Sequence, residues 1–532
     1  MIRVDIRVPV NYDGETIRNA VAESLGIDLA ADTELRLLRR AIIADDGNNI
    51  HYKLSVGVQL AENLEIRFCK KRGNVFPAPE LTLSIPHKPL ESRPVVVGSG
   101  PCGLFAALIL AEAGARPIVL ERGDSVENRV RAVDGYFSGG ALDPESNIQF
   151  GEGGAGTFSD GKLKCGGLDG IKYKVLSEFV SAGAPEDILW DVAAHIGTDR
   201  LREVVVGLRK KIQSLGGEIR FRTRLNDLLF RDGRISGIRY TAPEGEGELH
   251  TDTVILATGH SARDVFAMLD KRGVPMEARG FGIGVRIEHP RHLIDTLRYG
   301  DHPPASLGAA SYHLVEHLEN GRSVYSFCMC PGGSVVAAAT DEETVVTNGM
   351  SNRGRDGDNS NAAFLVSVTP DDFGGTPMGG LALQASLERA AYHIAQDGRA
   401  PAQRMQDFME DRITTNLGEV RPTYPRGVVF ARAGDYLPAF ITDSLRAAIP
   451  RFDAFMPGFY SPDALMTGVE TRTTSPIRVL RGETLEAVGF RGLYPAGEGA
   501  GYAGGIVSSA ADGIRVAMQI LRKSDDASTT CL

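Results

Sequence analysis

The feature of this sequence that most constrains its fold is a glycine pattern between a buried strand and a helix. Val95-Val96-Val97 form a short apolar run, Gly98-x-Gly100-x-x-Gly103 follows, and an apolar helical stretch covers residues 104–113. In such a pattern the first glycine makes a tight turn, the second lets the backbone approach a pyrophosphate, and the third lets the helix pack on the strand. The helix N-terminus then offers free N–H groups to the phosphates. The pattern therefore predicts a βαβ unit that binds a dinucleotide.

An acidic residue at the end of the next predicted strand supports the same interpretation. Pro117-Ile118-Val119-Leu120 is followed by Glu121, whose carboxylate would accept hydrogen bonds from a ribose. Other residues in and after the turn are included in the predicted cofactor site: Pro101, Cys102, Arg122 and Arg129.

Two later segments favour FAD over NAD, because they resemble segments of glutathione-reductase-type flavoproteins. The strand that ends in Ala257-Thr258-Gly259 is similar to the one that returns the chain towards the adenine half of FAD. Gly497-Glu498 resembles the late motif whose acid holds the ribityl chain, with Glu where Asp is more usual. Gly505-Ile506 starts the closing helix, and the positive end of its dipole would point at the flavin. The resemblance implies FAD.

A longer resemblance covers residues 90–520. The segment Phe150 to Leu163 looks like the signature of a family of bacterial FAD-dependent dehydrogenases. Within it, the glycine-rich stretch would let the backbone pass beside a flat ring, and the predicted cofactor-binding residues are Gly153, Gly154, Thr157 and Ser159. Further matching segments lie at 195–199, 258–264, 284–290, 328–333, 351–353, 470–476 and 497–506.

The resemblance implies an α/β fold in which a Rossmann-like, three-layer FAD domain of the glutathione-reductase type is interrupted by a substrate domain. We expect a small α+β domain at 1–90, the FAD-binding domain at 91–274 and 471–523, the substrate domain at 275–470, and a tail at 524–532. No other GxGxxG in the chain directly follows an apolar strand, as the one at Gly98 does. NAD(P)H would therefore visit the flavin only transiently, as a reductant.

Histidine and arginine residues inside the matched segments are the candidates for catalysis. His260 and His289 could act as acids or bases near the flavin. Arg286 and Arg472 could hold an anionic group of the substrate with their planar guanidinium groups. The alternative for the two arginines is a buried ion pair with Glu288 or Glu470. We expect the substrate pocket between the Gly153-Gly154 loop, the 286–289 segment and the 470–475 segment.

Cys328 and Cys330 have a CxC spacing, which permits a redox pair or a metal site. A disulfide between them would close a strained ring, and no second cysteine pair completes a zinc tetrad. Small buried side chains are the favoured interpretation, and we predict no metal site.

Composition narrows the class of protein. The net charge of −10 and the isoelectric point near 5.7 argue against nucleic acid as a partner. Six cysteines in 532 residues do not form a disulfide framework, and the start Met1-Ile2-Arg3 carries no secretory signal. The longest apolar stretch, 104–110, is too short to span a bilayer. We expect a cytoplasmic protein with a small-molecule substrate and no membrane partner; the sequence leaves its oligomeric state open.

Together these observations predict an FAD-dependent oxidoreductase, a dehydrogenase or reductase that transfers hydride between FAD and a small, anionic molecule. An oxidase or monooxygenase on the same scaffold is the first alternative. The second is a non-catalytic flavoprotein whose N-terminal domain binds another macromolecule.

Overall fold

The structure is a computed structural model, and it describes residues 1–44, 50–71, 73–164, 167 and 169–529. Its regular elements fall into an N-terminal sheet, a parallel sheet and a large mostly antiparallel sheet. Among the described residues, no helix combines the length and the apolar character that a bilayer span requires.

The first 77 residues form a four-stranded antiparallel sheet with two helices, in the chain order of a split βαβ fold. Helix α1 begins after Asp13, whose side chain accepts a hydrogen bond from the Thr16 backbone N–H, and ends at Gly26 with φ of 66°. The sheet order is β2-β3-β1-β4. The elements are β1 (Ile2–Pro9), α1 (Gly14–Leu25), β2 (Leu35–Ala44), β3 (Ile50–Val58), α2 (Glu62–Lys71) and β4 (Val75–Pro77).

This N-terminal module docks on the rest of the chain through strand β2. The Arg40 backbone N–H donates to the Trp190 carbonyl at 2.7 Å, and the Val192 N–H donates to the Arg40 carbonyl at 2.9 Å. The Arg40 guanidinium also pairs with Asp191 at 2.7 Å. Arg40 therefore belongs to an internal contact.

The next part of the chain builds a parallel sheet, a three-stranded meander of β8, β9 and β10, and five α-helices. The elements are β5 (Val95–Val97), α3 (Pro101–Glu112), β6 (Ile118–Leu120), α4 (Val126–Phe137), α5 (Gly170–Ser181), α6 (Thr198–Ser214), β7 (Glu218–Arg220), β8 (Arg224–Arg231), β9 (Arg234–Ala242), β10 (Gly245–His250), β11 (Val254–Leu256) and α7 (Arg263–Lys271). A short 3-10 turn, Glu186–Leu189, lies between α5 and α6.

Residues 276–479 form a seven-stranded sheet of order β14-β15-β18-β13-β21-β19-β20 and two small ribbons, β12-β22 and β16-β17. Strands β13 and β18 are buried almost throughout, so their sequences lack the alternation of a half-buried strand. The elements are β12 (Met276–Ala278), β13 (Phe281–Pro290), α8 (Arg291–Tyr299), β14 (Val315–His317), β15 (Ser323–Cys330), β16 (Ser334–Ala337), β17 (Thr347–Met350), β18 (Asn359–Val368), α9 (Pro377–Ala395), β19 (Ala400–Arg404), α10 (Met405–Met409), β20 (Val428–Phe430), α11 (Ala439–Phe455), β21 (Leu465–Glu470) and β22 (Ile477–Val479).

The end of the chain returns to the parallel sheet. Strand β23 (Leu493–Pro495) pairs with β11, which completes the order β23-β11-β5-β6-β7. Helix α12 (Ile506–Thr529) packs closely on α3: a Cβ at Gly513 would lie 2.1 Å from the Cys102 carbonyl oxygen. The helix continues past residue 524, where the sequence predicted a tail. The predicted domain boundaries at 90, 274, 470 and 523 stay a proposal.

Candidate functional site

A cavity of about 460 Å³ lies at the carboxyl ends of the parallel strands. Each of four neighbouring strands contributes the residue that follows it: Gly98 after β5, Glu121 after β6, Ala257 after β11 and Ala496 after β23. This edge is where open α/β sheets bind ligands. The opposite wall comes from the seven-stranded sheet and its loops, with Tyr312, Phe327, Cys328, Asn348, Glu470 and Arg472.

The glycine turn has the geometry that its sequence predicts. Gly98 has φ of 102°, and a Cβ there would lie 2.4 Å from the Ala257 carbonyl oxygen. A Cβ at Gly103 would lie 1.9 Å from the Gly98 oxygen, so strand and helix need a glycine at that crossing. A Cβ at Gly100 would meet only the Gly154 Cα, at 3.8 Å. Helix α3 begins after Gly100 with no side-chain cap, which leaves its first N–H groups for a ligand.

Glu121 lines the cavity, but its carboxylate already accepts four hydrogen bonds. One oxygen accepts from the Ser99 N–H at 2.9 Å and the Ser99 hydroxyl at 2.7 Å. The other accepts from the N–H groups of Gly123 and Gly151 at 2.9 and 3.0 Å. A carboxylate has about four lone-pair sites. Glu121 therefore connects the glycine turn at Ser99 to the loops that contain Gly123 and Gly151. A ribose hydroxyl would have to share one of these lone-pair sites.

Arg129, predicted as a cofactor ligand, holds the glycine-rich loop from behind. Its guanidinium is fully buried and donates to five backbone carbonyls at 2.7 to 3.2 Å. The acceptors are Asn147, Ile148, Gly151, Glu152 and Gly154. Burial lowers the pKa of Arg129 to about 10, although Glu121 and Glu152 oppose this. Arg129 acts by shaping the loop and does not line the cavity.

Two buried nitrogen atoms on the cavity wall have no hydrogen-bond partner within the described part of the chain: Gln149 Nε2 and His260 Nε2. His260 Nδ1 lies 3.5 Å from the Glu498 carboxylate. Unpaired buried polar atoms are costly unless a ligand satisfies them. These two nitrogen atoms, the Gly98–Gly103 turn and the uncapped N-terminus of α3 together fit a polar, phosphate-containing cofactor such as FAD.

Most of the predicted site residues meet at this cavity. Besides Glu121, the lining includes Gly98, Gly100, Pro101, Cys102, Arg122, Gly154, Ser159, Thr258, Gly259, His260, Arg472, Glu498, Gly505 and Ile506. Arg122 lies over the Phe150 ring, 4.3 Å from its centroid, and pairs with Glu145 at 2.7 Å.

Several residues predicted to bind the cofactor lie behind the cavity wall and do not line it. Gly103 serves helix packing. A Cβ at Gly153 would meet the Thr157 hydroxyl at 2.1 Å, and Thr157 itself bonds to the Glu152 carbonyl. The Gly497 N–H donates to Asp512 at 2.8 Å.

His289 is also misplaced for catalysis. It is fully buried, and its Nε2 lies 2.9 Å from the Phe459 carbonyl oxygen. Burial lowers its pKa to about 4, so the ring is neutral. The 286–289 segment therefore does not border the pocket, in contrast to the 470–473 segment.

Both candidate arginines are paired with buried carboxylates, as the alternative held; the partner of Arg286 is one of the two expected, and the partner of Arg472 is not. Arg286 makes two hydrogen bonds with Glu470, at 2.6 and 3.0 Å, and does not line the cavity. Arg472 makes two with Glu388, at 2.9 and 3.0 Å. Burial would raise the pKa of Glu388, but Arg472 and Arg263 lower it to about 2. Glu288 instead accepts from Thr423 and Asn359.

The sequence analysis missed a charged cluster on the cavity wall. Asp160 receives two hydrogen bonds from Arg355, at 2.6 and 2.9 Å, and Lys162 Nζ lies 3.0 Å from it. Burial would raise the pKa of Asp160, but the charges of Lys162 and Arg355 hold it below its usual range. Two cations against one anion leave one net positive charge. Asp160 and Lys162 belong to the matched signature, but Arg355 is distant in sequence.

Comparisons with known proteins agree with the cavity's character. An FAD-binding-domain model matches residues 91–134, and a model described as the C-terminal domain-like part of FAD-dependent proteins matches residues 280–473. An uncharacterized protein of Clostridium beijerinckii is 41% identical over 548 residues, covering 98% of this chain and 99% of that protein. The chain belongs to this family of FAD-dependent flavoproteins.

Solved structures with a similar arrangement are more distant. Glycine oxidase from Bacillus cereus is 10% identical, with 82% of this chain and 96% of that chain covered, at a TM-score of 0.35. L-proline dehydrogenase from P. horikoshii is 14% identical, with coverage of 82% and 94%, at a TM-score of 0.34. Similarity at this level does not identify a substrate.

Proposed function

We propose that this flavoprotein is a dehydrogenase or reductase that transfers hydride between FAD and a small anionic molecule. The observation that carries the proposal is a single cavity with two kinds of wall. The ends of the parallel strands supply the cofactor cradle, and the seven-stranded sheet supplies polar side chains opposite it. Bound FAD would supply the two-electron chemistry. In this proposal, residues 275–470 form the substrate domain that covers the flavin.

The cluster of Asp160, Lys162 and Arg355 supports an anionic substrate. Its net positive charge lies on the cavity wall, where low dielectric strengthens the attraction for an anion. Arg286 and Arg472 would attract an anion less strongly. Glu470 already neutralises Arg286, and Glu388 neutralises Arg472.

His260 is the proposed acid or base. Its Nε2 has no partner within the described residues, and Glu498 lies 3.5 Å from the other ring nitrogen. A carboxylate at that distance can orient the ring. Nε2 is then the atom that would give a proton to a substrate or take one from it.

Anaerobic reduction of the purified holoprotein tests this function. NADH, NADPH and a panel of small carboxylates and phosphates are added in turn, the flavin absorbance is followed, and air is then admitted. Fast bleaching by a nicotinamide or a panel member followed by slow reoxidation is the expected result. Fast reoxidation would favour an oxidase or monooxygenase instead. If no reductant in the panel bleaches the flavin, the proposed hydride transfer is wrong.

A further inference from the structure

Strand β15 carries two cysteines at a distortion on the cavity wall. The pairing of β15 with β18 shifts register between Phe327 and Cys330, and Cys328 has φ of 42°. Such bulges re-aim side chains, and a non-glycine residue with positive φ is strained. Cys328 lines the cavity, whereas Cys330 is completely buried behind it.

Both cysteines are free, and the Cys330 thiol donates a hydrogen bond to the Cys328 carbonyl oxygen at 3.3 Å. A cavity-facing thiol with a buried thiol two residues away is the arrangement that an attacking and a resolving cysteine require.

Two cationic side chains lie beside this pair. The Lys162 ammonium donates to the carbonyl of Met329, which lies between the two cysteines. Arg286 Nη1 donates to the Cys328 carbonyl at 2.9 Å. The hydrogen bond from Cys330 and these two cations, against the opposing effect of burial, hold the pKa of Cys328 well below its usual range. The hydrogen bond with Cys328 and burial raise the pKa of Cys330.

We propose that Cys328 and Cys330 form a dithiol–disulfide couple that exchanges with a small-molecule disulfide in the cavity. This activity goes beyond the proposed hydride transfer and does not depend on it. The geometry gives the roles: Cys328 faces the cavity and attacks, and Cys330 resolves.

The exchange balances without another reactant. The Cys328 thiolate attacks one sulfur of R–S–S–R, which breaks that bond, forms a Cys328–S–S–R mixed disulfide and releases RS⁻. The released thiolate takes the proton of Cys330. The Cys330 thiolate then attacks the Cys328 sulfur, forms the Cys328–Cys330 disulfide and releases the second RS⁻. The protein dithiol loses two electrons, and the small disulfide gains them.

The ring strain of a CxC disulfide fits this role. Strained disulfides have higher reduction potentials than relaxed ones. The couple would therefore return readily to the dithiol.

Equilibration of the holoprotein with glutathione and its disulfide tests the proposal. After anaerobic incubation at a series of ratios, free thiols are alkylated and the peptide that contains residues 328–330 is analysed by mass spectrometry. We expect it to lose two hydrogens as the ratio becomes oxidising. Cys102, which lines the same cavity but whose pKa burial raises, is the internal control and should remain alkylated.

Two variants distinguish the roles. Cys330→Ser should trap one glutathione on Cys328, because the resolving thiol is gone, whereas Cys328→Ser should trap none. Circular dichroism and bound flavin confirm that each variant is folded. A wild-type peptide that stays dithiol at the most oxidising ratio, or a Cys330→Ser protein without bound glutathione, would overturn the proposal. Either result would leave flavin reduction by a nicotinamide, and thus the proposed function, unaffected.

Discussion

The two sheets that border the cavity contribute to it in different ways. The parallel sheet contributes mainly backbone: glycines and small residues at the ends of β5, β11 and β23, with Glu121 bound to backbone N–H groups. The seven-stranded sheet contributes side chains such as Cys328, Glu470 and Arg472. A backbone-lined wall depends on the absence of Cβ atoms, whereas the other wall depends on partners distant in sequence. The two walls should therefore respond differently to substitution.

The largest effect is expected at Gly103. In Gly103→Ala the new Cβ would lie 1.9 Å from the Gly98 oxygen, so the strand and the helix must move apart. We expect a loss of about 3 kcal/mol or more in the free energy of unfolding and loss of bound FAD. Thermal unfolding and flavin content measure both.

The matched control for that variant is Gly100→Ala. Its Cβ would meet only Gly154 Cα, at 3.8 Å, so the apoprotein should unfold near the wild-type temperature. The methyl group would still occupy space that a pyrophosphate needs, and FAD affinity should fall about tenfold. A Gly103→Ala protein with wild-type stability would show that the wall does not depend on this close approach.

The next effect concerns a side chain that supports the backbone wall. Arg129→Met removes five hydrogen bonds to carbonyls that remain buried, and should cost about 3 kcal/mol in urea unfolding. Arg131→Met, on the exposed face of the same helix, should change stability by less than about 0.5 kcal/mol. Equal effects of the two substitutions would contradict a role for Arg129 in shaping the loop.

A pH effect is expected on the side of the seven-stranded sheet. The pKa of His289 is about 4 in the folded protein, against 6.5 without the fold. Between these values the unfolded chain binds a proton that the folded one does not, so stability falls as pH decreases from 6.5 towards 4. At about pH 5 the loss is about 2 kcal/mol.

Urea unfolding between about pH 7 and pH 5 measures this loss. In His289→Gln the decrease with pH should be shallower by that amount. His292→Gln is the control, because that imidazole is 74% exposed, and it should keep the wild-type slope. If the His289→Gln slope equals the wild-type slope, His289 is not held neutral by the sheet.

The smallest effect is expected at Thr258. Its hydroxyl makes no hydrogen bond within the described part of the chain, although the residue lines the cavity. If this wall acts through its backbone, Thr258→Val should change the Kd for FAD by less than about twofold, or about 0.4 kcal/mol. Titration of the apoprotein with FAD measures it. A tenfold loss would show that the hydroxyl itself binds the cofactor.

The difference between a wall built from local backbone and a wall built from distant side chains also explains which parts of the fold and the site could be predicted from the sequence. The Gly98–Gly103 turn was predictable because its motif is local: the strand, the turn and the helix are consecutive, and each glycine has one steric reason. The buried strands β13 and β18 could not be predicted in this way. Strands that are covered on both faces lose the alternation of apolar and polar residues that identifies a half-buried strand.

The charged groups of the site show the limit most clearly. The sequence suggested Glu288 or Glu470 as partners for Arg286 and Arg472, but Arg472 pairs with Glu388 on helix α9. Nothing in the local sequence connects residues 388 and 472. Likewise, Lys162 lies in the family signature, but its place in a net positive cluster depends on Arg355, which a different loop supplies.

The return of the chain to its first sheet has a consequence for synthesis on the ribosome. Strand β11 pairs with β23, and α3 packs against α12, roughly 240 and 400 residues further along the chain. Until those segments emerge, β11 presents an unpaired edge and α3 presents apolar surface to water or to a chaperone. A translation product that stops before residue 493 should therefore aggregate or be degraded, whereas the N-terminal sheet, whose strands are all encoded within 77 residues, can form early.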